Sequence, residues 1–106
     1  MPKIMLQANY VGEGVKGLLK EGGSSRRAAA ESAVKSLGGT LEAFYYAFGK
    51  TDAFLIADVP DNATAAALAL AVNASGLVVV ETTILMTPEE VDGAVKKSIG
   101  YRAPGK

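Results

Sequence analysis

Residues 40–59 read TLEAFYYAFGKTDAFLIADV. The aromatic and branched residues of TLEAFYYAF and AFLIADV mark two strands, and Gly49-Lys50-Thr51-Asp52 between them marks the turn of a hairpin. Upstream, Ser24 or Ser25 suits a helix N-cap. Ala30, Ala33, Val34 and Leu37 then follow at helical spacing until Gly38-Gly39 supplies a left-handed stop. Downstream, Asp61 caps a second helix over residues 63–73 that Gly76 ends. The outer segments KIMLQANY and LVVVETTILM are β-rich, and GEGVKGLLKEGG is a short amphipathic turn or helix. In TPEE, Thr87 caps, Pro88 takes the first helical position and Glu90 completes a capping box for a short terminal helix. Residues 98–106 read as a frayed tail.

This order, strand-helix-strand-strand-helix-strand, predicts an α+β ferredoxin-like βαββαβ sandwich. It has a four-stranded antiparallel sheet, two long helices on one face and a short C-terminal helix. Right-handed crossovers set the first and fourth strands side by side. That topology gathers Tyr10, the Gly22–Arg27 segment, the Gly49–Asp52 turn and Asn73–Gly76 at one end of the sheet.

The 106 residues make one domain, and eleven basic against eleven acidic residues leave a formal charge of zero. No summed field draws the chain to nucleic acid or an anionic membrane. An apolar share of 49% predicts a folded chain. The longest uncharged window, Asn62–Val80, is interrupted by Asn, Thr, Ser and Gly, unlike a membrane span. With no basic-apolar signal region at the start, a cytoplasmic location is the expectation.

The absence of His and Cys narrows the chemistry. Thiolate nucleophiles, Ser-His pairs, nitrogen- or sulfur-ligated zinc and His- or Cys-ligated haem are excluded. Oxygen-only magnesium or calcium sites stay open to the chain, but neither a calcium loop nor a phosphate-cradling glycine loop occurs, and the expectation is no metal and no cofactor. Gly49-Lys50-Thr51 joins two strands and lacks the glycine such a loop needs at Tyr45.

Four segments, EGGSSRR, SLGGTLEAFYYAFGKTDAF, VPDNATAAALALAVNASG and TTILMTPEE, together resemble the GYD domain family, over about Pro2 to Asp92. In that resemblance Gly49 or its neighbour and Asp52 correspond to the family's Gly and Asp, whereas Thr51 stands where it has Tyr. The resemblance implies a ferredoxin-like, oligomer-forming domain and no particular activity.

Candidate site residues fall in two places. At the sheet end, Arg26 and Arg27 sit in the first turn of a helix, where a cation opposes the dipole, so an anion is expected beside them. Asp52 is the nearest one by topology, predicting an Asp52–arginine cluster that a ligand carboxylate or phosphate would compete for. On the sheet, alternation puts Met5, Gln7, Asn9, Glu42, Phe44, Tyr46, Phe48, Val79, Glu81 and Thr83 on the face away from the helices, with Tyr45 replacing Tyr46 if the register slips by one. The apolar members predict a homo-oligomer built through that face. Gln7, Asn9 and Tyr46, with Arg26 and Arg27, are then ligand-binding candidates. The first functional expectation is an oligomer that binds a small anionic or amphipathic metabolite. The alternative is a cofactor-independent enzyme of isomerase or oxygenase type, with Asp52, Glu42 or Glu81 as its base.

Overall fold

The computed structural model describes residues 2–106. Their elements are β1 (Lys3–Tyr10), α1 (Glu13–Glu21), α2 (Gly23–Ser36), β2 (Thr40–Tyr46), β3 (Ala53–Asp58), α3 (Asn62–Ala74), β4 (Val78–Leu85) and α4 (Pro88–Val95). The strands form one antiparallel sheet in the order β2-β3-β1-β4. With α2 and α3 on one face, this is the expected α+β, ferredoxin-like arrangement, with α1 added ahead of α2. Among the described residues no helix is long and apolar enough to cross a membrane.

Alternation along the central strands selects the core. Ile4, Leu6 and Ala8 of β1 and Ala53, Leu55 and Ala57 of β3 are buried on the helix side, where Val34 of α2 and Ala65 and Leu68 of α3 meet them. Ile4, Val34 and Val59 are wholly enclosed; each contributes about 1.5–3 kcal/mol by leaving water.

Helix ends follow their sequence signals in two of three cases. Asp61 caps α3, accepting the Thr64 amide at 2.8 Å. Thr87 and Glu90 close the capping box of α4 around Pro88. The start of α2 differs: Gly22 is its N-cap and neither Ser24 nor Ser25 caps it. Gly22 (φ 83°) also terminates α1, and its amide bonds to the Leu18 carbonyl at 2.8 Å. One glycine thus turns the chain from α1 into α2, leaving both serines inside the first turn.

The register of β2 is the main correction. A bulge at Glu42 lets Leu41 pair with Ala57 and Ala43 with Ile56. The extra residue reverses the alternation, so Phe44 and Tyr46 face the helices while Ala43 and Tyr45 face away. Glu42 instead reaches the Lys3 ammonium at the sheet margin. Glu42, together with Asp58 at 3.2 Å, holds that ammonium above its ordinary pKa. Phe48 is not a sheet residue either; it lies in the 47–52 loop with φ 55°.

Candidate functional site

Small side chains on α2 leave room beneath them. Ala29, Ala30 and Ala33 stand over β1 and β3, while Phe44, Leu68, Val72, Val78 and Val80 form walls around a cavity of about 140 Å³. Leu6, Ala8, Ala53 and Leu55 form its floor. Tyr10 and Arg26 are the polar side chains in this otherwise apolar lining. Both residues, with Val78, also border an adjoining hollow of about 260 Å³ under α1, shared with Gly14, Leu18, Glu21 and Leu77. Tyr10 and Arg26 therefore stand where an apolar chamber meets a more open vestibule.

Local backbone chemistry fixes this vestibule. The Leu77 carbonyl accepts the Val11 amide at 3.0 Å, pinning the β1–α1 connection to the start of β4. Gly14 packs directly on Leu77, where a Cβ would come within 1.9 Å of the carbonyl oxygen. Only glycine lets α1 sit that close.

Arg26 is partly buried and its guanidinium meets Glu21 at 3.5 Å. A long, partly exposed pair of this kind is weak and exchangeable. Arg27 is exposed and has no carboxylate partner among the described residues; it borders a shallow groove with Gly23, Ser24, Phe44 and Tyr46. The two arginines thus serve different surfaces.

Tyr46 links that groove to the chamber wall. Its hydroxyl donates to the Gly23 carbonyl at 3.2 Å, and its ring stacks on Phe48 at 5.5 Å and tilts against Phe44 at 5.0 Å. Burial, reinforced by the neighbouring Tyr10 hydroxyl and opposed by Arg26 and Arg27, pushes the Tyr46 phenol up to about 12. Tyr46 is therefore a fixed proton donor at neutral pH. Its ordinary value of 10.0 applies when unfolded, so the associated stability is complete below pH 10 and drains as pH rises towards 12. In an absorbance titration, the Tyr46 phenol will ionise near pH 12. Tyr46→Phe will remove that step; if the late step persists, the assignment is wrong.

Asp52 does not join the arginines. Its carboxylate accepts the Tyr10 amide at 3.0 Å, while its own amide donates to Asn9 Oδ1 at 2.9 Å and the Ala8 carbonyl at 3.1 Å. Among the described residues neither Arg26 nor Arg27 pairs with it. The expected Asp52–arginine cluster is absent because the end of β1 offers backbone groups that Asp52 satisfies first. Asp52 and Asn9 instead tie the hairpin loop to β1.

The remaining candidates are dispersed. Gln7 and Glu81 face each other across β1 and β4 on the outer face of the sheet, and Glu42 is at the bulge. None of Asp52, Glu42 and Glu81 lines the chamber. Tyr10 lines the chamber but is not among the expected ligand-binding residues. Its signal was its place as the last residue of the KIMLQANY strand, at the sheet end where Arg26 also falls.

Neither the curated proteins nor the solved structures searched contain a match to the chain. The family model described as GYD domain matches residues 4–95, from the second residue of β1 to the end of α4. The chain belongs to the GYD domain family.

Proposed function

We propose that this protein is a homo-oligomeric binding module for a compact amphipathic anion. The ligand's apolar part fills the chamber under α2 and its carboxylate meets Arg26 and the Tyr10 hydroxyl. The observation that carries this reading is the composition of the chamber: about 140 Å³ with an apolar lining in which Arg26 and Tyr10 are the polar residues, both shared with the adjoining vestibule. A dry cavity of about 150 Å³ holds a benzene ring, which sets the size class at one ring or a branched chain of similar bulk. Arginine supplies two parallel donors to one carboxylate, and Glu21 at 3.5 Å is an occupant a ligand carboxylate can displace. The oligomer is supported by the outer sheet face, where Met5, Phe54, Ile56 and Leu85 lie partly uncovered beside Val79, half exposed at 50%.

Calorimetric titration with benzoate, 4-methylpentanoate and the neutral benzamide tests the binding site. The carboxylates will bind, and benzamide at least tenfold more weakly. Arg26→Ala will weaken benzoate about tenfold to hundredfold, the usual worth of a hydrogen bond to a charged group. Equal affinities for benzoate and benzamide, or an Arg26→Ala variant that binds as before, would overturn the reading.

A further inference from the structure

Among the described residues nothing covers the C-terminal arm. Every residue of α4 is exposed, and the apolar side chains on and around it are bare: Val95 is 77% and Ile99 81% exposed, with Met86, Val91 and Tyr101 also open. An isolated helix of eight residues is marginal in water even with a good cap, because helices this short draw their stability from packing. The capping box fixes where α4 begins and does not supply that packing.

Overall dimensions point the same way. The radius of gyration is 16.9 Å and the longest extent 56 Å, against about 13 Å for the radius of a compact chain near this length. The accessible surface is 7194 Å², whereas a compact monomer of 10.9 kDa exposes about 5,600 Å². The excess of about 1,600 Å² is twice what one partner buries in a standard interface and falls within the range of obligate dimers. Charge argues against a lipid surface: Glu89, Glu90 and Asp92 precede Lys96 and Lys97, so the arm lacks the basic face that anionic headgroups attract. Acidic start and basic end are instead complementary to a second arm related by a two-fold axis. The arm also continues directly from β4, whose Val79 and Leu85 belong to the outer sheet face.

We propose that residues 86–101 form an exchanged arm that packs on a second copy of this chain, extending the contact made by the outer sheet face. The proposal rests on the oligomeric reading above, and the experiment separates the two. Sedimentation of the unmodified protein across micromolar concentrations is compared with Val91→Asp/Val95→Asp in the arm and Ile56→Asp on the sheet face. The arm side chains are already exposed in the single chain, so their substitution leaves the domain folded, which circular dichroism verifies. The expected result is an oligomer whose dissociation constant rises at least tenfold in each variant. Hydrogen exchange at the amides of residues 91–95 will be slow in the unmodified protein and fast in Ile56→Asp.

An arm variant that associates as tightly as the unmodified protein, with amides equally fast in all three proteins, would overturn the arm while leaving the sheet contact standing. Dissociation by the arm variant alone would keep the arm and refute the sheet contact. A monomeric unmodified protein would refute both. Anionic vesicles that capture that monomer, but not the arm variant, would reassign the arm to a membrane surface.

Discussion

Ala33→Leu will abolish benzoate binding, by more than a hundredfold, while raising the melting temperature. Ala33 is partly buried, packs against the core and lines the chamber from α2. Three further carbons at this position extend into the chamber that Ala33 lines. Filling such a void adds dispersion contacts and buried apolar area, which commonly stabilises a domain by about 0.5–2 kcal/mol. The same carbons occupy the volume a ring would take. Stability and binding thus change in opposite directions, a signature that distinguishes a chamber kept open for a ligand from a packing defect. Arg26→Ala removes the anion's donor without altering the apolar volume, so it should lower affinity for benzoate yet leave the weak binding of benzamide nearly unchanged. Ala33→Leu should remove both. Thermal unfolding and calorimetry on the two variants check this directly; undiminished benzoate binding by a folded Ala33→Leu would place the ligand elsewhere.

The fold was legible where local chemistry dictates it. Asp61, Thr87, Pro88 and Glu90 act within one helical turn, and their roles depend on nothing distant. The hairpin and the strand order follow equally from pattern and connection rules. What escaped was non-local. The bulge at Glu42 adds one residue to β2, and strict alternation then assigns Phe44 and Tyr46 to the wrong face; Tyr45, the alternative under a one-residue slip, is the outward one. The sequence marks a four-residue turn opening at Gly49, yet the loop spans residues 47–52 and its residue in left-handed conformation is Phe48, stacked on Tyr46.

The site was half legible for the same reason. Arg26 follows from its place in the first turn of a helix beside the sheet end, and the structure puts it at the chamber. The chamber itself comes from Ala29, Ala30 and Ala33 aligned over Ala8 and Ala53, a register of small residues on three elements that periodicity within one segment does not reveal. RRAAAESA reads as good helix former whether or not a void lies beneath it. Topology brings Asp52 towards the arginines, but it says which groups can meet, not which partner wins.

Asp52→Ala will destabilise the domain by about 1–3 kcal/mol, the cost of leaving a partly buried donor without its acceptor. That donor is the Tyr10 amide, 3.0 Å from the carboxylate. Tyr10 is also the last residue of β1 and a wall of the chamber, so the loss reaches the site through the backbone. Benzoate affinity should fall modestly, by about threefold to tenfold on the same scale for a displaced neutral hydrogen bond. Asp52→Asn separates this structural role from the competitor role that its sequence position implies. Asparagine keeps an acceptor oxygen for the Tyr10 amide and loses the charge. If Asp52 acts only through Tyr10, Asp52→Asn will be stable to within about 0.5 kcal/mol, as for substitutions that preserve a contact, and will bind benzoate like the unmodified protein. Tighter binding in Asp52→Asn would mean that its charge opposes the ligand at Arg26 despite the absence of a direct pair. Much weaker binding with unchanged stability would instead put the carboxylate in contact with the ligand and bring a base within reach of it. Chemical denaturation and calorimetry on the two variants decide among these outcomes. The first is the expected outcome, because one carboxylate oxygen and the amide of Asp52 are engaged with β1.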